Sequence, residues 1–171
     1  AVIGGKESAA PLAALLGDEK LSHMARYALE PNPDAAAGEA LRAAAGRLKG
    51  RLLAGVLTSI GVRRDAEAVD LLARTLNDSD ADVVKAAAGA LGRIGNAASA
   101  QALQKALPKA SAQNKLPVIE GLFRCAETLA AEGRRRPALA IYDQLLKLDG
   151  PHQARGGALR GAILTSTNSR Q

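Results

Sequence analysis

The sequence predicts an all-α fold, an α-α superhelix (α-solenoid) of stacked helical hairpins, and three observations predict it. Of 171 residues, 38 are Ala and 25 are Leu, both strong helix formers, whereas aromatic residues, which favour strands, amount to 2%. Helix-breaking residues recur at roughly regular intervals of one short helix. A two-helix pattern also repeats: residues 54–61 read Ala-Gly-Val-Leu-Thr-Ser-Ile-Gly and residues 88–95 read Ala-Gly-Ala-Leu-Gly-Arg-Ile-Gly, with five of eight positions identical at an offset of 34. Residues 68–76 (AVDLLARTL) match residues 99–107 (SAQALQKAL) at an offset of 31. A repeat of this length marks a solenoid, because one hairpin cannot bury its own apolar stripe and must stack on a neighbour.

Reading between the breakers places the elements in order. Helices are expected at 8–16, at 19–30 (opened by Asp18, closed by Pro31), at 34–46 (capped by Asp34) and at 49–60 (ended by Gly61). The next are expected at 65–77 (capped by Asp65), at 81–94 (capped by Asp80 or Asp82, ended by Gly95) and at 98–107. The last three are expected at 115–132 (ended by Gly133), 135–148 (ended by Gly150) and 152–165. Apolar spacing is helical: Val69, Leu72 and Leu76 mark one face, and Val83, Ala87, Ala90, Leu91 and Ile94 another. The small residues Ala86, Ala87, Ala88, Gly89 and Ala90 are expected to let adjacent helices approach closely. These elements make about five hairpins (6–31, 33–61, 65–95, 97–132 and 133–166) in one domain over 1–171, with 167–171 a flexible tail. Ile3-Gly4 reads like Ile60-Gly61 and Ile94-Gly95, so residues 1–5 are expected to be the tail of a helix that begins upstream.

Composition excludes several functions. Cys125 is the only cysteine, which rules out a disulfide within the chain and fits either a reducing compartment or an exported protein. No uncharged apolar run approaches the roughly 18 residues of a membrane span, so no membrane insertion is expected. His23 and His152 are far apart and lack HExxH or CxxC spacing, so no zinc site is expected. Cys125 falls mid-helix between Phe123 and Leu129 with no nearby histidine in sequence, which reads as a buried small hydrophobe and not as a nucleophile. Asp78-Ser-Asp80-Ala-Asp82 opens like a calcium loop, but Val83 and Gly89 stand where that loop needs Gly and Glu; helix capping explains the cluster better. The helical glycines form no phosphate loop. No catalytic residue, cofactor or metal is expected.

Residues 65–95, DAEAVDLLARTLNDSDADVVKAAAGALGRIG, resemble a HEAT repeat of the short bacterial, phycocyanobilin-lyase-like type. The resemblance rests on an apolar first helix, the acidic turn Asp78, Asp80 and Asp82, then Val84-Lys85 and an Ala-rich second helix ending in Leu-Gly-Arg-Ile-Gly. It extends more loosely over 8–61 and 97–130, and weakens over 134–165, where GRRRPALAIYDQLLKL is equally similar to a tetratricopeptide helix. The run DEKLSHMARYALEP resembles HEAT segments of large multidomain bacterial proteins, many of them exported, which implies flanking domains. The family usually has Arg where Lys85 stands, and Arg26, Arg51 and Arg155 sit near equivalent helix starts.

Charge supplies the candidate site. With 23 basic and 17 acidic residues the net charge is +6, and no acid falls between Glu39 and Asp65 while Arg42, Arg47, Lys49, Arg51, Arg63 and Arg64 do. Equivalent positions of successive second helices line one surface of a solenoid, so Arg26, Arg51, Lys85, Arg124 and Arg155 are expected to form a positive stripe. Three readings of it stand. The bases pair with aspartates of the neighbouring hairpin in a ladder that fixes the stacking; they contact a protein partner; or they track a phosphate backbone, as the resemblance implies through the family's DNA-binding members. Scarce aromatics count against single-stranded nucleic acid. The function expected is a non-catalytic protein–protein interaction scaffold with a curved helical surface, with nucleic-acid binding as the alternative.

Overall fold

The computed structural model describes residues 5–148 and 152–167, and these contain ten α-helices and no strand. They are α1 (Lys6–Leu15), α2 (Ser22–Leu29), α3 (Ala35–Ala45), α4 (Gly50–Val62), α5 (Val69–Thr75), α6 (Ala81–Ile94), α7 (Ala97–Ala106), α8 (Ala112–Ala131), α9 (Arg135–Leu146) and α10 (His152–Thr167). The segments 1–4 and 168–171, with most of the expected upstream-helix end and of the C-terminal tail, and Gly150 lie outside the described residues; Thr167 closes α10.

Side-chain caps set the helix starts. Asp34 accepts the Ala36 N–H at 2.9 Å, Asp80 that of Asp82 at 2.9 Å and Asn96 that of Ser99 at 2.8 Å, each satisfying a donor the helix leaves open. Asp65 accepts the Glu67 N–H at 3.1 Å and opens a tight 3-10 turn, Ala66–Ala68, that leads into α5. Asp18 accepts the N–H groups of Lys20 and Leu21 and folds a turn, so α2 begins later than its sequence suggests. Gly95 closes α6 at φ +71° with its N–H on the Leu91 carbonyl at 2.9 Å, a left-handed cap that a β-carbon would strain. Gly61 does not end a helix: α4 runs through it to Val62. Pro11 and Pro117 lie inside α1 and α8, each past the first turn, so each helix gives up one i→i−4 hydrogen bond there.

Consecutive helices pair as α1/α2, α3/α4, α5/α6, α7/α8 and α9/α10, and the pairs stack into two layers around a single core. Leu29, Leu41, Leu57, Leu72, Leu91, Leu103, Leu122 and Leu145 are fully buried in it, each contributing about 1.5–3 kcal/mol of transfer free energy. In the second-helix layer α2, α4, α6 and α8 follow one another in continuous contact. In the first-helix layer α1 meets α3 and α5 meets α7, but α3/α5 and α7/α9 scarcely touch. Each of those seams is bridged by a polar contact: Arg42 pairs with Asp65 and, at 2.7 Å, with Glu67, and Gln104 Nε2 donates to Gln144 Oε1 at 2.9 Å.

Glycine makes that packing possible. A β-carbon on Gly61 would lie 2.7 Å from the Ala90 Cα, one on Gly92 would lie 2.9 Å from the Gly121 Cα, and one on Gly121 would lie 2.8 Å from the Ala88 carbonyl oxygen. Of the small residues expected to serve this purpose, Ala88 and Ala90 do, but against Gly121 and Gly61; Gly89 meets nothing within 4 Å. A second device fixes the stack. Arg63, at the end of α4, reaches back to the preceding hairpin, where Nη1 donates to the carbonyls of Leu29 (2.7 Å), Glu30 (3.0 Å) and Asn32, and Nη2 to that of Asp34 (3.4 Å). A cation there also meets the negative end of α2.

Candidate partner-binding groove

Because the second helices stack in register, their outward faces share one surface, and α2, α4, α6 and α8 together line a groove of about 740 Å³. Four of the five bases expected to form a stripe, Arg26, Arg51, Lys85 and Arg124, line it. Arg155 does not: it lies exposed on α10, which packs on α9 and only lightly on α8, so the register of second helices breaks there. Arg93 also lines the groove, as do Asp80, Asp82 and Glu120. Arg93 was legible in the Leu-Gly-Arg-Ile-Gly end of α6, one face-repeat after Lys85; the three acids carry no such signal. The floor is small and smooth: Ala54, Gly55, Ala86, Gly89 and Gly121.

The cations differ in what they touch. Arg26 is half-buried and lies over Gly55, where a β-carbon would sit 2.9 Å from its Cζ. Its Nη1 donates to the Gly55 carbonyl at 3.2 Å and to Ser59 Oγ at 3.4 Å, while Ser59 Oγ donates to Glu30 Oε1 at 2.7 Å. Arg26 thus ties α2 to α4, through a carbonyl and a hydroxyl and not through an aspartate. Arg51, Lys85, Arg93 and Arg124 are exposed, and none has a carboxylate oxygen within 4.0 Å among the described residues. The interhairpin aspartate pairing falls instead to Arg42, outside the groove.

The other candidate residues stay apart. His23 is exposed on α2, and the His152 side chain lies outside the described residues. Among the described residues no three His, Cys, Asp or Glu side chains come together as a metal site would require, and no helix is long and apolar enough to cross a membrane. The run from Asp78 to Asp82 winds into α6 through successive side-chain turns, Asp78 accepting the Asp80 N–H at 2.9 Å and Asp80 that of Asp82. A second hollow, between α8, α9 and α10, is lined by Phe123, Glu127, Tyr142, Arg160 and Leu164, with the Phe123 and Tyr142 rings 6.4 Å apart. The Tyr142 hydroxyl is pushed up by burial and by the Glu127 charge, against a hydrogen bond with Thr165.

Cys125 is fully buried, its Sγ on the Leu91 carbonyl at 3.7 Å, and burial pushes its pKa from 9.0 up to about 12. The fold favours the protonated thiol. The stability this confers is whole below pH 9 and is lost as pH rises through about 12, and Tyr142 acts in the same direction. We therefore expect the native chain to resist an aromatic disulfide reagent at pH 8 and to react once unfolded in urea. Its stability should also fall more steeply above pH 9 than that of Cys125→Ala, read from urea midpoints across pH 8–11. A fast-reacting native thiol would contradict this.

Residues 38–122 match the family model for HEAT repeats, a stretch that runs from α3 into α8 and holds Arg51, Lys85 and Arg93. Among solved structures, the crystal structure of an engineered protein is similar to this chain with a TM-score of 0.56 and 19% identity, over 91% of this chain and 78% of that one, a likeness of fold. No curated protein matches the sequence.

Proposed function

Because this chain belongs to the HEAT-repeat family, whose repeats generally mediate protein–protein interaction as scaffolds, we propose that it is a non-catalytic scaffold whose second-helix groove binds a protein partner. The observation that carries the proposal is the set of four exposed cations, Arg51, Lys85, Arg93 and Arg124, that face one groove and form no ion pair within 4.0 Å among the described residues. The stems of Arg93 and Arg124 lie against Gly61 of α4 and Gly92 of α6, but no carboxylate of the described residues lies within 4.0 Å of any of the four cations, which leaves their charge available to a ligand. The helices beneath them are locked by glycine contacts, so binding orders little backbone. Nucleic acid fits the groove less well: Asp80, Asp82 and Glu120 interleave with the cations, which the unbroken charge of a phosphate backbone cannot avoid and a peptide with spaced acids can, and no aromatic ring lines it to stack on a base.

Affinity capture at moderate salt, with and without nuclease, tests this reading with the wild-type chain and the triple variant Arg51→Glu, Lys85→Glu, Arg124→Glu. We expect a protein retained after nuclease digestion, a loss of about tenfold or more in its binding to the triple variant, and unchanged helicity. Proteins lost on digestion, with nucleic acid in the undigested sample, would give the groove to nucleic acid. Lost helicity in the triple variant would show that the three cations hold the stack.

A further inference from the structure

Gly89 is a helical glycine that packing leaves unexplained, as is Gly156 in α10, but Gly89 alone of the two lines the groove. A glycine inside a helix is destabilising relative to alanine. Gly61, Gly92 and Gly121 are accounted for by the close contacts of neighbouring second helices, and Gly55 by the Arg26 guanidinium that lies on it. Gly89 holds the place of Gly55 in the repeated octapeptide, in the middle of α6 and in the floor of the groove, yet nothing lies within 4 Å of where its β-carbon would stand. The seat filled by a side chain in the preceding repeat is empty here, and bare helix backbone is exposed beneath four unneutralised cations.

Resting on the scaffold reading above, we infer that the groove takes an extended acidic segment of the partner, which crosses α4, α6 and α8 and seats a residue on Gly89. Charge complementarity selects the occupant: the groove's five bases, Arg26, Arg51, Lys85, Arg93 and Arg124, outnumber its three acids, Asp80, Asp82 and Glu120, and Arg51, Lys85 and Arg124 stand one on each of the three helices. Packed helices lie about 8–10 Å apart, so the crossing covers roughly 16–20 Å, which an extended chain spans in about six residues at about 3.3 Å each. Carboxylates spaced about three residues apart then meet cations on successive helices, and the residue between them rests on the open floor. The glycine keeps that floor low enough for the segment's backbone to approach.

The experiment is a selection of random linear twelve-residue peptides on the full chain, followed by fluorescence polarisation of each enriched peptide with wild type, Gly89→Trp and the triple charge reversal. Enriched peptides should carry at least two Asp or Glu residues near the three-residue spacing and bind more weakly as salt rises. Gly89→Trp should weaken them at least about tenfold while its urea midpoint stays at or above that of wild type, because the indole enters open space; Gly89→Ala checks the fold independently. Peptides without acids, or acidic peptides indifferent to Gly89→Trp, would overturn this inference and leave the scaffold reading standing if the triple variant still loses them. Failure to enrich any peptide overturns it as well. Salt-dependent binding of a duplex DNA probe that the triple variant abolishes, with no peptide bound, overturns both.

Discussion

Arg63→Ala is expected to destabilise the chain by about 3 kcal/mol, read as a lower urea midpoint of the helical signal. The guanidinium donates to four carbonyls, of Leu29, Glu30, Asn32 and Asp34, where α2 ends and the chain turns into α3. The Leu29 and Asp34 carbonyls also accept the Asn32 and Ala37 N–H groups, but those of Glu30 and Asn32 accept no backbone donor among the described residues, and Asn32 is itself buried, so truncation removes charged hydrogen bonds and strands two acceptors. Arg63→Lys should recover less than half of the loss, because one ammonium cannot fan out across carbonyls as a planar fork does. Arg74→Ala, an exposed change on α5, should stay within about 0.5 kcal/mol. Equal midpoints for the variants at 63 and 74 would mean that the hairpins are held without this contact.

Gly61→Ala and Gly89→Ala are expected to move stability in opposite directions, although both exchange the same residues inside a helix. Propensity alone favours each by about 1 kcal/mol. At Gly61 the new β-carbon would sit 2.7 Å from the Ala90 Cα, which is backbone, so α4 and α6 must separate along their whole interface, and overpacking of this kind costs about 1–3 kcal/mol. The net expectation is a loss of about 1 kcal/mol. At Gly89 nothing is within 4 Å, and the propensity gain stands alone. Thermal midpoints should differ between the two variants by about 4–8 °C for a chain of this size. Two shifts of the same sign would refute the assignment of one glycine to packing and the other to open space.

The contrast between these glycines also shows how far the sequence could be read. Periodicity and caps located the helices, because Asp34, Asp65 and Asp80 act on neighbours two residues away. The repeat brought Arg26, Arg51, Lys85 and Arg124 to one groove, since helices that recur at a constant offset recur on a constant face. Arg155 escaped it because its helix belongs to the stretch where the repeat pattern fades. Gly61 and Arg63 were misread or passed over for one reason: each acts on the adjacent hairpin, across 29 residues or more, and local sequence holds no record of which carbonyl or α-carbon faces it there.

The unequal layers also have a mechanical consequence. A beam with one stiff fibre bends about that fibre, and here the stiff fibre is the run of second helices, in backbone contact at Gly61, Gly92 and Gly121. Strain from flexing falls on the opposite side, at the seams spanned by Arg42–Asp65 and Gln104–Gln144, where water can replace the lost contacts at a cost of about 1 kcal/mol each. Flexing about that fibre would change the span of the chain more than the separations of Arg51, Lys85 and Arg124, so a segment held in the proposed groove would keep its contacts.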